Sequence, residues 1–178
     1  MPPWLIALSF YQNKESKLDS AKWVQLATLS LDKTPRVRTV VFRGWNSRYE
    51  MKILTDRRSS KIMKIEYNNN VEVCWLFLES KCQFRFRGTS YIDISNDSSH
   101  HWKQLDEQTK FMWSWPYPGE KFIDDKINLI EQDTQKSDNF VLLNINIEYA
   151  EQLILEKPVH IRKKWIKNNN WIEERINP

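Results

Sequence analysis

Cysteine is scarce in this chain, and its scarcity narrows the chemistry. Only Cys74 and Cys82 occur in 178 residues, both in strand-like runs without metal-ligand spacing or partner histidines. A zinc site and a disulfide framework are not indicated, and both thiols are expected reduced, in or near the core. No other metal site is expected, because His100 and His101 are adjacent and neighbouring side chains on a helix do not face one point. Long apolar runs are missing as well. The opening MPPWLIALSF has no basic lead and is too short for a signal peptide or a membrane span. The protein is therefore expected in the cytoplasm, with no membrane partner. Nor does one sign of charge prevail: 27 Lys and Arg stand against 23 Asp and Glu, a net charge of +4 without a dominant block. Nucleic acid is not expected as a partner on that balance. Internal repeats and low-complexity linkers are absent too, so residues 1–178 are expected to form one domain, long enough to bury a core.

What the chain has in excess is aromatic surface, with nine Trp among 13% aromatic residues. Flat rings suit a pocket for a planar ligand or an apolar subunit interface, although many must simply be core. Trp102, Trp113 and Trp115 fit core or subunit contacts better than ligand stacking. Arg85 and Arg87 alternate with Phe84 and Phe86, a pattern that also occurs in single-strand nucleic-acid binders. Arginines on one face of a strand are more simply solvated, or turned toward a subunit partner.

The most informative stretch is Arg36 to Lys61, RVRTVVFRGWNSRYEMKILTDRRSSK. It reads as a strand, a turn at Gly44–Ser47, a returning strand on which Met51, Ile53 and Thr55 alternate, then the opening of a helix. Donors crowd the junction of strand and helix: free N–H groups of the first turn, the hydroxyls of Ser59 and Ser60, and Arg57, Arg58 and Lys61. That is the chemistry of a phosphate site, since the orphan N–H groups and the helix dipole both favour an anion. Arg38 and Arg43 project from the neighbouring strand and can close on the same group. A basic, solvated helix start is the alternative, and charge alone does not separate the two.

Around this stretch, residues 3–17 are expected to form a helix with Trp4, Leu5 and Leu8 on one face. WVQLATLSLD alternates as a strand, a helix covers about 58–67, and Asn68-Asn69-Asn70 breaks the chain. VEVCWLFLES and KCQFRFRGTSYID follow as a strand pair joined near Ser80-Lys81. Residues 97–110 read as one helix capped by Asp97, and a second helix is expected within 120–134. FMWSWPYPGEKF between them reads as a loop or lid, making 97–134 a helical and Trp-Pro insertion. NFVLLNINIEYAEQLIL is a strand with a bend at Glu148–Tyr149, and VHIRKKWIK with WIEERIN forms a last hairpin, Trp165 and Trp171 pairing across it. Six to eight strands with short turns point to a closed antiparallel barrel flanked by helices, in the mainly β, α+β class. A doubly wound fold needs regular βαβ alternation, which is absent.

Four segments resemble, in order and spacing, pyridoxamine 5′-phosphate oxidase and its FMN-binding split-barrel relatives. They are Arg38-Thr39-Val40-Val41-Phe42-Arg43, Thr55-Asp56-Arg57-Arg58-Ser59-Ser60-Lys61, Gln83 to Gly88, and Arg175-Ile176-Asn177-Pro178. The resemblance runs from about residue 18 to the end. Trp115-Pro116-Tyr117-Pro118-Gly119 is similar to the loop of an uncharacterised, probable FMN-dependent branch of that family. The resemblance implies a six-stranded antiparallel split β-barrel working as a homodimer, with FMN in a groove between the subunits. Arg38 and Lys61 would hold the FMN phosphate, with Ser59, Ser60 or helix N–H groups completing the cradle. Thr39, Val40, Val41, Arg43, Thr55 and Asp56 would lie along the cofactor, and Gln83 would hydrogen-bond the flavin, as an amide that both donates and accepts. Phe140 stands nearest the family's late tryptophan, and Lys164 where the family has an FMN-contacting arginine.

The departures bear on substrate. The oxidase reads its substrate with a lysine where this chain has Arg43, and with an Arg-x-His-Asp-Arg stretch where this chain has His160-Ile161-Arg162-Lys163-Lys164. Arginine and lysine are not equivalent at a bidentate site. The resemblance thus implies an FMN-dependent oxidoreductase acting on an unidentified small molecule, with no catalytic acid or base singled out. Two alternatives share the FMN site. One is a B6-vitamer oxidase proper, with Arg43, His160 and Arg162 rebuilding a substrate pocket, and the other a flavin carrier or sensor without turnover.

Overall fold

A computed structural model of the chain describes residues 1–93, 97–122 and 136–178. The strands are β1 Trp23–Leu29, β2 Pro35–Trp45, β3 Met51–Asp56, β4 Asn70–Phe77, β5 Cys82–Ile92, β6 Phe140–Ile154, β7 Ile161–Ile166 and β8 Glu174–Ile176. Helix α1 Pro3–Lys14 precedes them, and α2 Ser60–Tyr67, α3 Asp97–Gln104 and α4 Glu107–Phe111 lie between them. Hydrogen-bonded neighbours run β3-β2-β1-β4-β5-β6-β7-β8, and β3 also pairs with β6, from Met51↔Ile145 to Asp56↔Phe140. That second pairing closes β1 to β6 into a six-stranded antiparallel barrel, which leaves those strands no free edge. β7 and β8 extend the sheet beyond the ring on the second half of β6.

The alternation visible in the sequence decides what fills the barrel. Val24 and Leu26, Met51 and Ile53, Val73, Trp75 and Phe77, and Cys82, Phe84 and Phe86 are all buried. The intervening side chains face outward, as a two-residue period requires. α1 adds Trp4, Leu5 and Leu8 to the same core, with Trp4 in edge contact with Trp45 and Trp171. Each such buried side chain contributes about 1.5–3 kcal/mol. Trp165 is buried as well, but it does not pair with Trp171 across the last hairpin: Lys164 faces Glu174, and Trp171 turns back onto Trp4.

Local departures from the sequence reading have local causes. The first hairpin turns later than Gly44–Ser47, because β2 continues to Trp45. Asn46 makes the turn, its Oδ1 accepting the N–H groups of Arg48 at 2.9 Å and Glu50 at 3.0 Å. The single helix expected over 97–110 is two, because Asp106 starts a new one by accepting the Thr109 N–H at 2.8 Å. The bend expected in β6 is a bulge: Arg87 faces Tyr149 while Gly88 faces Ile147, leaving Glu148 as the extra residue. Gly88 must be glycine there, since a Cβ would come within 1.9 Å of the Asn146 carbonyl oxygen. The helix expected within 120–134 falls largely on residues 123–135, outside the described residues, and the side chain of Asp97, the expected cap, is likewise outside what the structure describes. No described helix is long and apolar enough to cross a membrane.

A second, smaller apolar cluster sits outside the barrel. Trp102, Trp113 and Phe140 pack edge to face on one another, with Leu54 and Leu105 against them. It anchors the helical insertion against the outer face of β3 and β6.

Candidate functional site

The site is built where β3 runs into α2, with β2 alongside. Ser59 is the N-cap of α2, its Oγ accepting the Lys61 N–H at 3.3 Å. The next turn swings the Lys61 side chain back, and its Nζ donates to Thr55 Oγ1 at 2.6 Å and Ser59 Oγ at 2.7 Å. Arg38 projects inward from β2, opposite Leu26 of β1. Its Nη1 donates to the Thr28 hydroxyl at 2.8 Å and the Leu26 carbonyl at 3.1 Å.

Burial first, and then the Arg38 charge, push the Lys61 ammonium down to about 8, against the opposing pull of the Asp56 carboxylate. Burial lowers Arg38 in the same way. Among the described residues the hydrogen-bond partners of the two cations are hydroxyls and one carbonyl, with no carboxylate. Asp56 offsets part of this from a distance, its own fork being taken by Arg58, and two half-buried like charges without a directly bonded acid favour an anion between them. The donor set is that of a phosphate cradle at a helix start.

Three residues of the crowded junction are spent otherwise. Arg58 forks onto Asp56, with Nη2 2.7 Å from Oδ2 and Nε 3.1 Å from Oδ1. Arg57 gives its N–H to the Asn139 carbonyl at 2.7 Å and its Nε to that of Asp138 at 3.4 Å. Ser60 is exposed and accepts from Lys64 at 3.3 Å, away from Lys61. The cradle that folding assembles is Arg38, Thr55, Ser59 and Lys61, with Thr28 behind it. Thr28 was not singled out by sequence, although its place on the Val24–Leu26 face opposite the arginines was a usable signal.

Beside the cradle opens a cleft of about 480 Å³. Val41, Arg43, Leu54, Thr55 and Asp56 form its floor, and Thr109, Met112, Trp113, Trp115, Pro116 and Pro118 its wall. Thr55 belongs to both cradle and cleft. Trp113 is fixed to the same residue, its Nε1 donating to the Thr55 carbonyl at 3.3 Å. Val40 lies half-buried on the inner face of β2 and Thr39 is exposed on the outer. Hollows of about 500 and 580 Å³ elsewhere on the barrel hold no comparable gathering of cations.

The remaining sequence candidates lie elsewhere in the chain. Phe140 is 2% exposed, its ring enclosed by Trp102 and Trp113, so little face is left for a ligand. Gln83 pairs with Leu153, and Lys164 with Glu151, while Thr55 pairs with Val141 of the same strand. Ten or more residues of β6 separate these registers, on the order of 30 Å. Arg162 donates to Glu151, which also accepts from Arg85 and from Tyr149 Oη, and Lys164 pairs with Glu174 at 2.9 Å. These donors, desolvation notwithstanding, hold the Glu151 carboxyl down to about 2. His160 is exposed in the loop before β7, its ring nitrogen 3.0 Å from the Glu156 carbonyl. One chain therefore unites the cradle with Arg43 but not with Gln83, His160, Arg162 or Lys164.

Comparison with known proteins identifies the family. Residues 1–93 match the family model described as pyridoxamine 5′-phosphate oxidase, FMN-binding domain. The chain is 33% identical over 126 residues to pyridoxine/pyridoxamine 5′-phosphate oxidase 2 of Arabidopsis thaliana. That match covers 66% of this chain and 64% of the plant protein, so the chain spans just under two thirds of that relative. Among solved structures, it is similar to a pyridoxamine 5′-phosphate oxidase-related, FMN-binding protein of Nostoc punctiforme, with a TM-score of 0.90 and 28% identity over 100% of this chain and 99% of that one. It also superposes on PhzG of Burkholderia lata, crystallised with tetrahydrophenazine-1-carboxylic acid, with a TM-score of 0.81 and 14% identity over 98% and 91% of the two chains. At that identity the likeness is one of fold.

Proposed function

The chain belongs to the pyridoxamine 5′-phosphate oxidase FMN-binding family, whose cofactor is FMN, and we propose that it is an FMN-dependent oxidoreductase acting on a small molecule that enters the Trp-Pro cleft. The observation that carries this reading is the cradle: Arg38 and Lys61 are half-buried and close enough for Arg38 to depress Lys61, and their hydrogen bonds go to hydroxyls and one backbone carbonyl. A phosphate fits that donor set. Bound there, FMN supplies the redox chemistry as a hydride or electron acceptor. The chain's own residues bind and orient: Lys61 and Arg38 hold the phosphate charge, Ser59 and Thr55 fix the lysine, and the helix start presents N–H groups. Arg43, exposed on the cleft floor, offers a cation to an acidic substituent on the substrate, and the Trp113–Pro118 wall offers apolar faces to a ring.

The site is proposed to be composite. Gln83 and Lys164 lie too far along β6 to reach the cradle of their own chain, so a second copy would bring them to it, with FMN between the subunits. A second reading, a B6-vitamer oxidase, is favoured by the 33% identity to the plant oxidase. Peroxide released on addition of pyridoxine 5′-phosphate would establish it.

The test of the main proposal is visible absorbance of the purified protein before FMN is added and after incubation with FMN and removal of the unbound flavin by gel filtration, on wild type and on Arg38→Ala/Lys61→Ala. Flavin bands that the double variant loses are expected. Wild-type protein that stays colourless with FMN would end the redox reading. Sedimentation of the flavin-loaded protein at monomer mass would end the composite site.

A further inference from the structure

An arginine at the start of a helix, next to a phosphate cradle, is expected to face the phosphate. Arg58 does not. Its fork is closed on Asp56, and both side chains are only 15% exposed. The same Nη2 donates to the Trp113 carbonyl at 3.3 Å, and the guanidinium lies 5.1 Å from the centre of the Tyr117 ring. We propose that Arg58 is a positioning residue of the flavin site, fixing the Trp-Pro segment as the wall of the cleft from the same turn that builds the cradle. The proposal rests on the function proposed above.

Three demands meet at this one side chain. Asp56 needs a planar fork, the Trp113 carbonyl needs a further N–H in nearly the same plane, and Tyr117 needs a flat cation over its face. Guanidinium meets all three, whereas an ammonium is a point charge that meets one at a time. Trp113 and Tyr117 flank Trp115 and Pro116 in the chain, so holding the first two sets the position of the latter pair, which line the cleft. Trp113 is held a second time by the Thr55 carbonyl, and the Thr55 hydroxyl accepts from Lys61. Residues 55–61 therefore carry the cradle on one side and the wall on the other. The shape of the space beside the cofactor follows from Arg58, without Arg58 touching the phosphate.

The experiment compares wild type, Arg58→Ala combined with Asp56→Asn, and Arg58→Lys, each with and without FMN, the lysine variant serving should the alanine variant not fold. Three quantities are read: FMN affinity by flavin fluorescence quenching, iodide access to the bound flavin, and tryptic cleavage after Lys110 and Lys121, which flank the wall. In Arg58→Ala, combined with Asp56→Asn so that no unpaired carboxylate is left beside Lys61, FMN affinity is expected to stay within about threefold, while cleavage and iodide access rise about tenfold as the wall opens locally. Arg58→Lys falls between, since it keeps the charge and loses the fork. Unchanged cleavage and iodide access overturn the proposal. So does loss of FMN as complete as in Arg38→Ala, which would make Arg58 a phosphate ligand. A fall in urea midpoint with uniform cleavage along the chain would make it a general stabiliser, again against the proposal. If wild type takes up no FMN, the functional reading fails, and the cleavage arm alone still decides whether Arg58 holds the wall.

Discussion

If Lys61 holds the FMN phosphate as proposed, the affinity for FMN depends on pH in a way that identifies the lysine. Burial and Arg38 push its ammonium from 10.5 down to about 8 in the ligand-free fold. In the unfolded chain the lysine keeps its proton to higher pH, so between the two values the unfolded state binds more protons and stability rises with pH. Below about 8 the folded protein carries a charged, half-buried lysine at a cost with a ceiling of about 3 kcal/mol, reduced by the side chain's remaining contact with solvent. A phosphate dianion in the cradle reverses the preference and keeps Lys61 charged. Binding above pH 8 must then take up a proton, and affinity falls about tenfold for each pH unit. From about pH 7 to about pH 9.5 the dissociation constant of FMN is expected to rise roughly 30-fold, the phosphate itself being a dianion throughout since its second pKa is about 6. Flavin fluorescence quenching measures this directly. Riboflavin, which lacks the phosphate, serves as control and should show no slope. Lys61→Arg cannot lose its proton and should bind with a flat profile. Lys61→Met should bind weakly at every pH, while its ligand-free form resists urea better than wild type at pH 7. A flat wild-type profile, or the wild-type slope persisting in Lys61→Arg, would refute the reasoning.

Other outcomes follow from single features of the fold. Arg38→Met should weaken FMN at least tenfold, the weight of one lost charge-assisted contact, and leave riboflavin affinity unchanged. Glu151→Gln leaves Arg85 and Arg162 without their buried acid and should cost about 2–4 kcal/mol in urea unfolding at pH 7. For the same reason wild-type stability should fall as pH drops from the ordinary carboxylate value of 4.5 to about 2, since the lowered Glu151 acid stabilises only while ionised. Gly88→Ala should cost more than about 3 kcal/mol, or prevent folding, because its Cβ meets backbone that the β5–β6 pairing holds in place.

Much of the architecture was legible because one-residue alternation fixes which face of a strand is buried. Val24, Leu26, Ile53, Phe84 and Phe86 could each be placed from that period alone. The cradle was legible for a related reason: strand, cap and helix start are local, so Thr55, Ser59 and Lys61 meet within seven residues, and Arg38 faces them from the neighbouring strand. What sequence could not supply is competition between donors. Arg57, Arg58 and Lys61 look alike on charge, yet only folding shows Asp56 claiming Arg58 and the 138–139 backbone claiming Arg57. The insertion reads as one helix in sequence, and only the Asp106 carboxylate on the Thr109 N–H shows that a new helix starts there. Phe140, placed by resemblance beside the flavin, is claimed by Trp102 and Trp113, contacts across the insertion that no local pattern announces.

The same competition bears on what the cleft can accept. The resemblance puts Arg162 and Lys164 where the family reads a substrate or cofactor, but each already holds a carboxylate. A substrate phosphate seeking Arg162 must displace Glu151, which Arg85 and the Tyr149 hydroxyl also hold and which ionises down to about 2. Exchanging one buried anion for another there recovers little, because the ion pair lost is as desolvated as the one gained. Arg43 is in the opposite state: exposed on the cleft floor and without an ion pair among the described residues. Discrimination between substrates should therefore rest on Arg43 and the aromatic wall. Once an oxidisable compound is found, Arg43→Ala should raise its KM about tenfold while leaving FMN bound, and Arg162→Ala should lower stability while leaving that KM unchanged. The reverse pattern, with KM following Arg162, would mean that a second subunit draws Glu151 away and frees the arginine for substrate.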